Sequence, residues 1–493
     1  MSNPATGRRR TLEFVTPQAD DFLRAVRAVD PGAARNIQLL ESGELGRETH
    51  AALDAAREQW PVQPAASVDA ITRGGMVILT ETDPDKLSDQ LLQFADQDDV
   101  HIIAPRTARH FRAQPLFLVT IPKSGTHLLR ALLRAFGYGE GNDHNYTPEP
   151  GTWYCLEFSN THTRATDFFV DGVRRAPFGN RHHPFPRTPA LFLYRNPLDI
   201  LVSEAMYYQH DGKTLFAGYL SGLELEQRIA RLIRDPWLLG SLRDRMSGFI
   251  PWLGFANVIP VSFEELVGDA GGGSRELQER VVWSLQLKLH IPGAPADYAA
   301  RAYDRSAPTF ASGRIGLHRE TLSDAHRAGL RELGQDYMEE FGFPAGGAGS
   351  NPWLPGRMDE FRHRPLRLAP ASTGLMPVLV EPDQMFFNIV YFDGRYYGVP
   401  CDLGPVDVAA LADPQRACLP SNVSLPRLRA QLALGPEHAG VISDWYSLVI
   451  AEAIRSPVAP LRRIRHPLGR LMRLIDIYEK LRVRLRRLFP AAK

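Results

Sequence analysis

The sequence has almost no cysteine. Three stand in 493 residues, Cys155, Cys401 and Cys418, an odd number without metal-ligand spacing. That excludes a disulfide framework and a cysteine-based zinc site, and it fits a reducing compartment. Long apolar runs are lacking as well. No stretch approaches the roughly 20 residues that cross a bilayer, and no apolar core follows the basic start MSNPATGRRR, so it does not read as a secretory signal. A cytoplasmic location is therefore expected. There is no excess of charge of one sign: the formal net charge is +1, which removes any whole-chain argument for nucleic-acid binding. Internal repeats and low-complexity tracts are missing too.

What is present points to several folded units. Hydrophobic residues make up 44% and charged residues 23%, the balance of a folded chain rather than a disordered one. The length exceeds one ordinary core, so about two to four units are expected. Residues 1–14 read as a flexible tail. Residues 15–112 read as an accessory α/β segment: AALDAAREQW and DKLSDQLLQFA have helical spacing, while GGMVILTE and VHIIAP read as strands. From about 113 to 345, short apolar runs alternate with helical patterns. PLFLVTI leads into PKSGT and HLLRALLRAF, PALFLYRNP into LDILVSEAMYY, and ANVIPVSF into EELVGD. This alternation predicts an α/β fold with a doubly wound parallel sheet flanked by helices.

A Gly-rich break, AGGAGSNPWLPG, precedes a change of pattern. Residues 346–455 read as a small β-rich module, in which FFNIVYF and RYYGVP flank the favoured turn pair Asp393-Gly394. Residues 456–493 read as a basic amphipathic helix. From 461 onward, eleven Arg and Lys face only Asp476 and Glu479.

The chemistry concentrates in two stretches. In Pro122-Lys123-Ser124-Gly125-Thr126-His127, a strand passes through a short turn into a helix. Such a turn presents backbone amides, and the helix start adds its dipole, so the segment suits an anion. Gly125 permits close approach of a phosphate, Ser124 and Thr126 offer hydroxyls, and Lys123 adds charge. The ATP/GTP turn GxxxxGK[ST] is absent. Some seventy residues later, Arg195 ends a strand, Asn196-Pro197 turns the chain, Asp199 favours the helix start, and Ser203 follows about two turns in. An Arg and a Ser displayed in this way suit a second phosphate.

Together these motifs resemble the PAPS-dependent sulfotransferase family. The second matches its R-N-P-x-D-x-x-V-S pattern at Arg195, Asn196, Pro197, Asp199, Val202 and Ser203. VSFEELVGD is similar to the family's R-Y-E-D-L segment, with Phe263, Glu264, Glu265 and Leu266 in place. TFASGRIGLHRETLS is similar to its late F-x-x-G-x-x-G loop, with Phe310, Gly313, Gly316 and Arg319 kept. The chain departs from the pattern at Ala311-Ser312, where many members carry a basic pair. It departs again at Leu128 and His318, where many carry tryptophan.

The resemblance implies a P-loop-like sheet and PAPS as co-substrate, with no metal. It implies that Lys123 stands at the leaving phosphate and that Pro122 to His127 form the 5′-phosphate loop. Arg195 and Ser203, with Gly313 and Arg314, would take the 3′-phosphate. In-line transfer also needs a base for the acceptor proton. His182, in GNRHHPFPRTP, fits the family's H-x-P form, with His183 as the alternative and His162 and Glu157 behind them. The expected acceptor is a hydroxyl or amine of a carbohydrate, lipid or other small molecule. The β-rich module resembles add-on segments of bacterial enzymes that modify surface glycans, which implies a glycan. The basic helix suits peripheral contact with an anionic inner membrane face, or pairing between copies. The rival readings are a small-molecule kinase and a non-catalytic nucleotide-binding protein at a membrane surface.

Overall fold

The computed structural model describes residues 10–29, 36–56, 62–71, 75–110, 114–141, 149–155, 187–210, 217–234, 241–247, 249, 252–253, 256–302, 313–334, 336–343, 362–368, 378–384, 387–392, 395–400, 408, 417, 419–423 and 428. Two five-stranded parallel sheets and one small antiparallel sheet are arranged along them.

The first sheet comprises β1 (Arg10–Val15), β2 (Ile37–Leu40), β3 (Val62–Ala65), β4 (Met76–Leu79) and β5 (Val100–Pro105), in the order β1-β5-β4-β2-β3. Residues 10–14, expected within a flexible tail, instead form most of β1, which pairs in parallel with β5 from Arg10↔Val100 to Val15↔Pro105. Leu12 and Phe14 point into one apolar cluster and Val15 into another, so this strand is core rather than tail.

The second sheet holds β6 (Leu116–Thr120), β7 (Gly139–Glu140), β8 (Thr152–Cys155), β9 (Ala190–Tyr194) and β10 (Val258–Ser262), in the order β10-β9-β6-β8-β7. Its central strands are fully buried, and the period of two sorts their residues between two cores. Phe117, Val119, Phe192 and Tyr194 face the helix Pro197–Tyr207. Leu116, Leu118, Leu191 and Leu193 face the helix Thr126–Phe136. The chain leaves β6 toward β8 and β7 on one side and returns to β9 on the other. The sheet is therefore doubly wound, as the alternation predicted, with its switch point between β6 and β9.

One helix joins the two sheets. Arg275–Leu289 is buried from Val281 through Leu289. One face carries Val282, Leu285 and Leu289 into the second sheet's core, while Trp283 and Leu287 enter the first sheet's core. The Trp283 indole donates to the Phe94 carbonyl at 2.9 Å. The residue that ends this helix, His290, is stacked on Phe14 and hydrogen-bonded to Ser88 at 2.9 Å.

Residues 362–368, expected in the β-rich module, lie instead on the second sheet. The Arg367 amide donates to Ala256 O at 3.0 Å, and Leu366 joins the core beneath. The third sheet, β11 (Val378–Gln384), β12 (Phe387–Phe392), β13 (Arg395–Pro400) and β14 (Ser421–Asn422), is antiparallel. Phe392 pairs with Arg395 across the expected two-residue connection. Residues 393–394 themselves lie outside the described residues, as does the basic segment 456–493. Among the described residues no helix is long and apolar enough to cross a membrane.

Candidate functional site

In open α/β sheets the crevice beyond the strand ends at the switch point is where ligands bind. Here it is formed by the ends of β6 and β9, and it brings PKSGT beside Arg195. After β6 the chain takes two left-handed residues, Lys123 at φ 68° and Gly125 at φ 105°. The first costs about 1 kcal/mol for a residue with a side chain. The second requires glycine: a Cβ there would lie 2.6 Å from Phe263 Cδ2. Together these residues bend the loop so that the helix Thr126–Phe136 starts at the crevice. Amides in its first turn have no acceptor within the helix.

The loop's hydroxyls are turned inward. Ser124 Oγ donates to Leu193 O at 3.2 Å, and Thr126 Oγ1 lies 2.9 Å from Thr120 Oγ1. What the loop offers a ligand is therefore mainly backbone amides and the Lys123 charge. The Lys123 ammonium sits 3.5 Å above the Tyr207 ring. Tyr207 was missed in the sequence, although its spacing of four from Ser203 puts both on one side of the helix. Half-buried His127 is held below the ordinary imidazole range by burial first, then by Arg130 and Lys123, so it is neutral at pH 7.

Arg195 ties the crevice together. Its Nη2 donates to Arg314 O at 2.7 Å and its Nη1 to Lys123 O at 3.4 Å, and its guanidinium lies 4.2 Å over the Phe263 ring. Its Nε is buried with no hydrogen-bond partner among the described residues. Asp199 stands 3.7 Å away and accepts from the Gly316 amide at 2.8 Å and from the His318 amide at 2.9 Å. Burial alone would raise its carboxyl. The His318 hydrogen bond and the Arg195 charge outweigh that and hold it below the ordinary range. Expected to favour its own helix start, Asp199 therefore serves the late loop instead. Asn196 caps the helix, with Oδ1 accepting from the Leu198 amide at 2.9 Å.

Glu264 lies behind this corner and accepts from the Asn196 amide at 2.8 Å. Burial pushes its carboxyl up to about 8, so it is largely protonated at pH 7. Gly313 lies against Gly271, where a Cβ would meet Gly313 O at 2.4 Å, and Ile315 N donates to Gly271 O at 2.9 Å. The late loop is thus pinned from two sides.

Of the residues singled out in the sequence, Pro122 to His127, Arg195, Gly313 and Arg314 meet around this crevice. Arg314 contributes its carbonyl, while its exposed guanidinium pairs with Glu320 at 3.0 Å. Ser203 is half-buried on the helix that carries Asp199. His182, His183, His162 and Glu157 lie outside the described residues, as do Phe310, Ala311 and Ser312. Leu128 is core, and His318 is buried against Asp199 with Nδ1 2.8 Å from Oδ1. Among the described residues no three His, Cys, Asp or Glu group together as metal ligands.

No protein-family model matches the chain, and no curated protein matches it. Among solved structures, the chain is similar to the mouse sulfotransferase SULT7A1 complexed with PAP. The identity is 17% and the TM-score 0.32, over 51% of this chain and 89% of that one.

Proposed function

We propose that this chain is a sulfotransferase that moves a sulfuryl group from PAPS to a hydroxyl or amine of a carbohydrate, lipid or other small acceptor. One observation carries the reading: an amide-lined loop with Lys123 at its bend abuts Arg195 at the switch point of a doubly wound sheet. The missing GK[ST] turn separates the loop from the ATP/GTP type.

PAPS supplies an activated sulfuryl group. Its S–O bond to phosphate breaks as a bond from sulfur to the acceptor forms, and the acceptor proton passes to a base. Lys123 then balances charge on the leaving phosphate, a role suited to an ammonium held beside a helix start. The amides from Gly125 to His127 receive the 5′-phosphate. The residues present fit this group, with one change from the sequence expectation: Ser124 and Thr126 act through backbone rather than hydroxyl. Arg195, whose buried Nε has no partner among the described residues, and Ser203 supply the 3′-phosphate contacts, and Gly313 and Arg314 shape that side. His182 is the base, with His183 as the alternative. The acceptor is the chain's partner, and the segment 456–493 serves peripheral membrane contact or self-association.

Titration calorimetry tests the donor site. The expected result is tight binding of 3′,5′-ADP and weak binding of 5′-AMP; equal affinity for the two removes the reading. Loss of turnover in His182→Ala with 3′,5′-ADP binding kept assigns the base, and unchanged turnover excludes it.

A further inference from the structure

His318 stands where many members of the resembling family carry tryptophan, and an imidazole buried there needs a partner. The residue is only 2% exposed, and its partner, Asp199, is buried four residues after Arg195. The ring Nδ1 lies 2.8 Å from Asp199 Oδ1, and the His318 amide donates to the same oxygen at 2.9 Å. The carboxylate is ionised at neutral pH and can only accept, so Nδ1 carries the hydrogen between them. Its other oxygen takes the Gly316 amide at 2.8 Å. Three hydrogen bonds from the late loop thus fix this carboxylate.

A carboxylate beside a guanidinium frequently closes on it with two parallel hydrogen bonds. Asp199 does not. Its Oδ2 stops 3.7 Å from Arg195 Nη2, beyond hydrogen-bond length. Arg195 gives its Nη2 to Arg314 O at 2.7 Å and its Nη1 to Lys123 O at 3.4 Å, and its Nε has no partner among the described residues. Its hydrogen bonds go to neutral carbonyls. A carboxylate and a phosphate compete for the same fork of donors, so whatever restrains Asp199 decides how much of Arg195 is left for a ligand. The amides of Gly316 and His318 belong to the backbone and would be present with other side chains. The ring hydrogen bond is the one restraint that depends on the side chain at 318.

We propose that His318 is a positioning residue for 3′-phosphate recognition: it restrains the Asp199 carboxylate, so that Arg195 meets the nucleotide's 3′-phosphate rather than an internal carboxylate. The inference rests on the PAPS reading above and names a determinant of its donor selectivity. His318 acts through Asp199. Without the ring hydrogen bond, Oδ1 keeps only the residue 318 amide, and the carboxylate turns toward the guanidinium. A 3′-phosphate must then displace it. A 5′-phosphate on the loop amides beside Lys123 meets no such competitor.

The test is calorimetry of the full chain with 3′,5′-ADP and with 5′-AMP, in the wild type and three variants. An asparagine side-chain amide takes the place of Nδ1, whereas a glutamine amide takes the place of Nε2, away from Asp199. His318→Gln and His318→Leu are expected to lower 3′,5′-ADP affinity about tenfold, the size of one hydrogen bond to a charged group, with 5′-AMP affinity unchanged. His318→Asn is expected to keep the wild-type ratio of the two affinities. Circular dichroism checks the fold, and either loss variant is decisive if it alone folds. An unchanged ratio in a folded loss variant overturns the proposal. Equal losses for both nucleotides also overturn it, because they mark a general structural role, and so does a loss in His318→Asn that matches His318→Gln. Equal affinity of the wild type for the two nucleotides removes the PAPS reading instead, which keeps the two failures apart.

Discussion

Asp199 and His318 are bound twice: the backbone amide of His318 reaches Asp199 Oδ1 at 2.9 Å, and its ring Nδ1 reaches the same oxygen at 2.8 Å. This contact couples the helix that begins after Arg195 to the late loop. Asp199→Ala leaves the buried His318 amide, the part-buried Gly316 amide and the Arg195 charge without their acceptor. The expected loss in urea unfolding is about 3 kcal/mol, with Asp199→Asn losing less. The folded carboxyl titrates below its ordinary range, so its contribution is present above about pH 4 and is lost as pH falls through the folded value. A wild-type to Asp199→Asn difference that stays constant down to pH 2 would contradict this.

Gly125 and Phe263 form a steric pair. Gly125→Ala forces a Cβ to within 2.6 Å of the Phe263 ring at a backbone angle that disfavours any side chain. The expected cost is about 2 kcal/mol, part strain and part clash. Phe263→Leu in the same chain should recover the clash and leave the strain, a coupling of about 1 kcal/mol in a double-mutant cycle. Strict additivity would mean that the ring does not set the loop.

Lys123→Ala is expected to lower turnover about a hundredfold or more with a much smaller change in 3′,5′-ADP affinity, because the charge matters most when the leaving phosphate develops its own. Tyr207→Leu should have a milder effect, since a cation over an aromatic ring contributes about 1 kcal/mol. Steady-state rates with PAPS and calorimetry with the nucleotide separate the two. Equal losses in both quantities for Lys123→Ala would place the lysine in binding alone.

Glu264 makes stability fall with rising pH. Burial raises its carboxyl to about 8 in the folded chain against an ordinary 4.5, so the native state holds the extra proton between those values. Stability is therefore lost as pH rises through that window. Glu264→Gln keeps an acceptor for Asn196 and has nothing to titrate. Relative to wild type it should gain stability from pH 5 to pH 9, on the order of a few kcal/mol. Urea midpoints at the two ends decide it, and a constant difference would refute the burial argument.

The parts of the fold that were readable in sequence are those with a period. β6 and β9 are short apolar runs closed by turns, and the alternation with helices gave the doubly wound sheet. β1 was lost because RTLEFV alternates only in part and follows an arginine run. β3 was lost because VQPA is half exposed and holds a proline. The loop Pro122 to Thr126 and Arg195 were legible because their residue types are unusual at strand ends. Their real partners were not. Arg195 binds the carbonyls of Lys123 and Arg314, and backbone acceptors leave no trace in residue identity. His318 looked like a lost tryptophan, and only the folded chain shows that Asp199 needs it.

The helix Arg275–Leu289 is a party wall. Trp283 and Leu287 belong to one neighbour, and Val282, Leu285 and Leu289 to the other. The amino-terminal sheet is consequently no detachable ornament. A chain begun at residue 113 would present an indole and a leucine to water where another sheet should stand, and the second sheet would inherit a surface built for an interior. Any ancestor or relative that lacks the first sheet must have repainted that wall, and its sequence at 283 and 287 is where the change should be written.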